Sequence, residues 1–252
     1  MIPRTASRFG IVADVHANLP ALNAVLAALA GEGVEEIWCL GDVVGYGGDP
    51  EACVAIVRER CAGTVRGNHD AAAVKAALRE SFNPHARAAI ERQANVLSRD
   101  ALEWLGGLPV VLELGEVMLL HGSYVDPEGF PYVQGSRDAA RELAAIPSRW
   151  AFCGHTHVPG LWWMEPGGRV EELRLGDRSA ATALDGPGRY LVNPGSVGQP
   201  RDGDVRAACA IFDRAAGQLR LLRVPYDVSA AQASIRLAGM PAIEAERLER
   251  GL

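Results

Sequence analysis

Short apolar runs alternate with amphipathic helical stretches through the first two-thirds of this 252-residue chain, and the alternation predicts an α/β fold. A second observation is where the polar letters fall. Asp14, Asp42, Asn68, His121 and His155 each follow directly on an apolar run, and open α/β sheets bind ligands beyond the carboxyl ends of their strands. The third is a change of texture after Gly154, from helix–strand alternation to strands joined by Gly and Pro turns.

The elements follow in order. Residues 9–13 form a buried strand. Asn18 is a good helix N-cap, and Pro20 sits in the first turn, where a missing N–H costs little. Leu19, Leu22, Val25, Leu26 and Leu29 then share one helical face, which Gly31 and Gly33 terminate. Residues 36–40 are the second strand, 50–60 a helix and 63–66 a short third strand. Alanine-rich helices cover 71–80 and 85–97, and strands 108–114 and 116–120 turn at Gly115. A helix over 136–145 precedes a strand at 150–153. Strands then cover 161–165, 169–173, 189–192, 207–213 and 218–224, with an exposed loop at 176–188. Helices at 229–237 and 243–250 close the chain. No composition shift marks a boundary, so the expectation is one domain over 1–252, with a core of about 8–224 and a helical C-terminal appendage at 225–252.

Composition is that of a globular protein, 48% hydrophobic and 22% charged. A net charge of −6 gives no general attraction to nucleic acid or to anionic membrane. The five cysteines make no CxxC pair and fall mostly in apolar runs, as small buried hydrophobes do. The N-terminus has no signal architecture, and the longest uncharged run, 15–31, is too short and too polar to span a bilayer. A cytoplasmic protein is expected.

Chemistry concentrates in five clusters: Asp14-Val-His16, Gly41-Asp42, Gly67-Asn-His-Asp70, His121-Gly122 and Gly154-His-Thr-His157. Only His85 among the six histidines lies outside them. Asp, Asn and His without cysteine are the donors that hard-to-borderline divalent cations take, and a cation pair is the usual device for activating water against a phosphorus ester. Each cluster alone is weak, but five in order, each at a strand end, are hard to attribute to coincidence.

Together they resemble the calcineurin-like metallophosphoesterase superfamily, whose pattern runs D-x-H, G-D, G-N-H-[DE], H, G-H-x-H. Asn193-Pro-Gly-Ser-Val197 and Gly41-Asp-Val-Val-Gly-Tyr46 look like its compact bacterial and archaeal phosphodiesterase branch. The resemblance covers the chain to about Val224 and implies a two-sheet α/β sandwich with flanking helices. It implies that Asp14, His16 and His157 hold one metal, that Asn68, His121 and His155 hold a second, and that Asp42 bridges both. A hydroxide shared by the two cations would be the nucleophile. His69 would protonate the departing oxygen, and Asp70 would orient His69 and raise its pKa; Asp70 also suits a helix N-cap. Mn, Fe, Zn, Ni or Co would suit such ligands.

The implied activity is hydrolysis of a small phosphodiester or phosphomonoester, with a nucleotide among the candidate substrates. A serine/threonine protein phosphatase is the alternative, but its branch carries an Arg after the second strand, and residues 41–47 here contain none. Arg66 and Arg201 are substitutes for it, although each suits an ordinary surface position. A non-catalytic metal-binding scaffold is a third reading; intact His69 and a full ligand set weigh against it. Tyr124, Phe130 and Tyr132 fall in a loop that could border a cleft. Ile235, Leu237, Ile243 and Leu248 would either dock on the core or bury a homodimer seam.

Overall fold

Strand β1 (Arg8–Val12) occupies the middle of one mixed sheet because both of its faces are apolar. In this computed structural model, which describes residues 7–173 and 180–252, Phe9 and Ile11 point to one face and Val12 to the other, each fully or almost fully buried. β1 pairs parallel to β2 (Glu36–Cys39), which pairs parallel to β3 (Gly63–Thr64). The second sheet holds β4 (Val111–Leu114), β5 (Val117–Leu120), β6 (Trp150–Phe152), β7 (Gly160–Met164), β8 (Val170–Glu172) and β10 (Arg189–Asn193) in the order β4-β5-β6-β10-β7-β8. The first is completed by β9 (Thr182–Ala183), β11 (Ala207–Asp213) and β12 (Gln218–Val224) in the order β3-β2-β1-β11-β12-β9.

The sheets pack face to face. Phe9, Ile11, Trp38 and Phe212 from one meet Leu119, Trp150, Phe152 and Val192 from the other in a single core. Each such side chain stabilises the fold by roughly 1.5–3 kcal/mol when fully buried. Helices cover the two outer faces. Leu22, Val25 and Leu29 of α1 (Leu19–Gly31), with Val54 and Val57 of α2 (Pro50–Arg60), lie over the first sheet. α3 (Asn68–Val74), α4 (Pro84–Val96) and α5 (Arg99–Gly107) extend that layer. α6 (Ser136–Ala145) covers the second sheet through Ala139 and Leu143. Because β1, β2 and β3 run parallel, and β5, β6 and β10 do so too, their carboxyl ends gather along a common edge.

The closing helices are α7 (Val228–Leu237) and α8 (Ala242–Glu246), followed by a 3-10 turn at Arg247–Glu249. Ala231, Ile235, Met240, Ala245 and Leu248 form a small core with Ala89 of α4. Ile235 and Leu248 therefore dock inward, whereas Leu237 is 88% exposed and Ile243 41%.

Several expectations change, beginning with the closing helix over 243–250, which is α8 followed by the 3-10 turn. The helix over 71–80 is two pieces: α3 ends at Val74, and a 3-10 segment runs Ala76–Ser81, held by Arg79 donating to the carbonyls of Ala72 and Ala73. α5 was not foreseen, although Ser98 caps it by accepting the Ala101 N–H and Leu105 is buried beneath it. The loop at 176–188 lies partly outside the described residues; within the rest, Thr182–Ala183 pairs with β12 and Leu184 is buried.

Candidate metal centre

All seven side chains that the sequence put forward as ligands come to the common strand edge. Asp14 and His16 follow β1, Asp42 follows β2, Asn68 opens α3, His121 follows β5, and His155 and His157 follow β6. All but Asn68 are buried. The donor atoms of Asp14, His16 and His157 lie within 4.8 Å of one another, and so do those of Asp42, His121 and His155. Asn68 Oδ1 is 3.1 Å from His121 Nε2. Donor atoms of His16, Asp42 and His69 also lie within 4.8 Å of one another.

The backbone is strained where the ligands stand. Asp14, His16, Asp42, His155 and His157 have φ between 47° and 70°, a region costing a non-glycine residue about 1 kcal/mol or more. The loops hold this geometry through long-range bonds. The N–H of His16 donates to the carbonyl of Asp42 at 2.9 Å, the N–H of Gly198 to that of Asp14 at 2.9 Å, and Ser196 Oγ also to Asp14 O at 2.9 Å. Gly67 is required by close approach, because a Cβ there would strike the Asp42 carboxylate.

The ring nitrogens show what the cluster can do. His16 Nδ1 lies 3.0 Å from Val44 O, His121 Nδ1 2.8 Å from Leu40 O, and His157 Nδ1 2.7 Å from Gln199 O. A carbonyl only accepts, so each Nδ1 carries the proton, and a ring that takes no second proton presents a lone pair at Nε2. Those lone pairs converge: His16 Nε2 is 3.0 Å from His157 Nε2, and His121 Nε2 is 3.2 Å from His155 Nδ1. Asp42 Oδ2 is buried with no well-formed hydrogen bond, 3.2 Å from His121 Nε2 and 3.6 Å from His16 Nε2. Facing lone pairs repel unless a positive charge lies between them, so the donor set fits divalent cations, with backbone carbonyls orienting the rings.

The charges agree. Burial, reinforced by Asp42, raises Asp14 to about 7. Burial holds His16 and His157 low and lowers His155 to about 3 and His69 to about 4, so these rings are neutral at pH 7. Burial also opposes protonation of His121, but the Asp42 and Asp14 carboxylates outweigh it and lift His121 to about 9. There a proton supplies the positive charge that the facing acceptors require.

A family model for the calcineurin-like phosphoesterase superfamily domain matches residues 8–217. The chain belongs to this superfamily. It is thus a hydrolase of a family that uses divalent metals, and its clustered His and Asp side chains can hold them. The fold is that of a metallophosphoesterase from Sphaerobacter thermophilus, 37% identical, with a TM-score of 0.85 over 98% of this chain and 100% of that one. A protein of Methanocaldococcus jannaschii without assigned function is 34% identical over 97% of this chain and 98% of its own length. At 19% identity, protein PH1004 of Pyrococcus horikoshii shares the fold, with a TM-score of 0.77 over 97% of this chain and 98% of that one.

This phosphoesterase carries an open cleft of about 410 Å³ beside the cluster. Tyr46, Asn68, His69 and His155 form its floor, and Phe82, Phe130 and Tyr132 are among its walls. Tyr132 stacks on His155 at 4.2 Å and 8° while remaining 47% exposed. The expectation that the loop after His121 borders a cleft therefore holds for Phe130 and Tyr132.

Asp70 departs from the role that the resemblance implied. Its carboxylate accepts the N–H groups of Asp42, Val43, Val44 and Gly67, at 2.8, 2.9, 3.3 and 2.9 Å. His69 Nδ1 has no hydrogen-bond partner. Asp70 thus pins the Asp42 loop and caps α3, rather than orienting the imidazole. It does so at the cost of burial, which raises it to about 7. Arg66 is mostly buried, donating to Gly106 O and pairing with Glu128 at 3.5 Å. Arg201 is half-buried, with its guanidinium over the Tyr46 ring at 5.6 Å. Neither is a free surface charge.

Sequence reasoning missed the polar residues that hold the site. Gln93 accepts from Gly45 N and donates to Gly47 O at 2.7 Å, fixing the turn that carries Tyr46. Glu142 accepts from Ser123 Oγ and Tyr124 N, both at 2.6 Å, fixing the loop after His121. Both are fully buried. Their signal was present: Gln93 falls on the same helical stripe as Ala86, Ala89 and Ile90, and Glu142 on that of Ala139 and Leu143. A polar residue on an apolar stripe needs partners.

Proposed function

We infer that this protein hydrolyses a small phosphodiester or phosphomonoester at a pair of divalent cations. The observation that carries this reading is the convergence of imidazole nitrogens and the buried Asp42 Oδ2 on one locus. In this reading Asp14, His16 and His157 hold one cation, Asn68, His121 and His155 the other, and Asp42 both. When bound, the cations would supply Lewis-acid charge and a water of lowered pKa. Mn, Fe, Zn, Ni or Co would satisfy these donors.

The protein's own residues do the rest. Nδ1–H bonds to carbonyls hold the ligand rings in place. His69 lies between the cluster and the cleft, with its Nδ1 free, and serves as proton donor to the departing oxygen. An arriving anion raises the pKa of a nearby imidazole, which favours protonation of His69 as substrate enters. The aromatic cleft takes the leaving group and favours a planar one, such as a nucleobase. A protein phosphatase is less well supported, because Tyr46 stands where that branch carries its arginine. Five cysteines without a disulfide suit the cytoplasm. Among the described residues no helix is long and apolar enough to cross a membrane.

The test is turnover by metal-stripped protein reloaded with Mn²⁺, comparing bis-p-nitrophenyl phosphate with p-nitrophenyl phosphate. Metal-dependent hydrolysis supports the reading, and the ratio ranks diester against monoester. Bound metal with no turnover of either ester, nor of nucleotide esters, would replace the enzyme by a scaffold.

A further inference from the structure

The C-terminal segment reaches the site. Arg247, in the 3-10 turn after α8, places its guanidinium 6.0 Å from the centre of the Tyr46 ring, and Arg201 places its own at 5.6 Å. Tyr46 in turn packs on His16 and His69, 4.6 Å from each ring. The two arginines are held from behind. Gln199 Oε1 accepts from Arg201 at 2.8 Å, and Gln199 Nε2 donates to the buried Glu244 at 3.0 Å. Arg247 lies 3.7 Å from Glu244 and donates Nε–H to the Leu252 carbonyl at 2.6 Å.

Both half-buried guanidiniums act on the Glu244 carboxylate, so two cations share it. Burial and then the neighbouring Arg201 pull Arg247 below its ordinary value. The charge of Arg201 acts on Asp14, His16, His69, His155 and His157, so it reaches into the cluster. Like charges so placed are costly to hold together, and an anion between them relieves the cost. Guanidinium is also the cation best matched to phosphoryl oxygens.

We propose that Arg201 and Arg247, seated over the Tyr46 ring, form a two-arginine clamp for a doubly charged phosphoryl group. The clamp rests on the phosphoesterase reading and narrows it. A phosphomonoester dianion, or a nucleotide with a second phosphate, engages both arginines, whereas a diester monoanion engages Arg201 alone. The appendage thereby becomes part of the substrate site.

Calorimetric titration of inorganic phosphate into the Mn²⁺-loaded protein tests this directly. Arg201→Ala and Arg247→Ala should each weaken phosphate binding about tenfold or more, the loss of one charge-assisted contact. In turnover, Arg247→Ala should raise KM for p-nitrophenyl phosphate about tenfold and that for the bis ester less than threefold. Arg247→Gln keeps the stem and a polar tip, and gives the same comparison if the alanine variant does not fold. Phosphate affinity within about twofold of the parent in either folded Arg247 variant would overturn the clamp. Arginine-dependent phosphate binding without any ester turnover would keep the clamp and defeat the enzyme; turnover with arginine-independent binding would do the reverse.

Discussion

The strand-end cluster and the C-terminal segment both border Tyr46, but they differ in kind. The cluster is written in the chain as five short motifs, and its side chains are fixed by bonds to backbone, as between His157 Nδ1 and Gln199 O. The C-terminal segment carries no motif. It is placed by apolar docking of Ile235 and Leu248 on α4 and by Ser234 donating to Asp49 at 2.5 Å. A ligand set demands particular donors at particular strand ends, whereas a docked helix demands only apolar area of the right shape. The first therefore shows in the letters and the second does not.

That difference can be broken most severely at Asp42. Asp42→Ala should abolish turnover, by about 10⁴-fold or more, and lower bound metal per chain in elemental analysis, because Asp42 Oδ2 lies 3.2 Å from His121 Nε2 and 3.6 Å from His16 Nε2, within reach of both proposed donor sets. Metal retained at the parent level would show that Asp42 bridges nothing.

His69→Ala should be next. Turnover should fall about 10²–10⁴-fold, most for poor leaving groups, while elemental analysis finds metal content unchanged. Loss of metal with activity would make His69 a ligand, as its distance from His16 and Asp42 alone permits. The metal-free protein offers a second check. Burial holds folded His69 at about 4, against about 6.5 unfolded. Its contribution is present above about pH 6.5 and lost as pH falls towards 4, because the unfolded chain takes up the proton first. Asp14 and Asp70, raised to about 7, act with the opposite sign. Metal-free His69→Gln should therefore lose less thermal stability between pH 7 and pH 5 than the parent, by on the order of 1–2 kcal/mol.

Gln93→Ala tests the supports rather than the ligands. It leaves Gly45 N–H and Gly47 O without partners, at about 1–3 kcal/mol. The melting temperature should drop by a few degrees, about 2–4 °C per kcal/mol. Activity should fall more than metal content, because Tyr46 loses its seat. The smallest effect is expected for Leu237→Ser, at 88% exposure. Stability should change by less than about 0.5 kcal/mol, and light scattering should give the parent's mass. A fall in mass would place a homodimer seam on α7.

The same contrast explains what could be foreseen. Strand positions followed from short apolar runs, as at β1, and the capped helix α1 matched its Asn18 N-cap and apolar face closely. α5 was missed because its short polar surface hid a single buried stripe. The capping role of Asp70 was legible, but its hold on the Asp42 loop was not, because the partners of a carboxylate are set by which loop folds over it, and that loop lies about 27 residues away in sequence.

By itself the sequence determined the α/β class, the strand ends at which donors stand, and the donor types, because strand periodicity and metal chemistry are local constraints on residue identity. Only the tertiary structure decided that the two sheets stack so that His16 meets His157, and His121 meets His155, at bonding range. It alone also brought Arg247 to Tyr46 across the chain. Those pairings depend on packing between segments far apart in sequence, where the free energy comes from buried area and shape, and no residue name records which surfaces will meet.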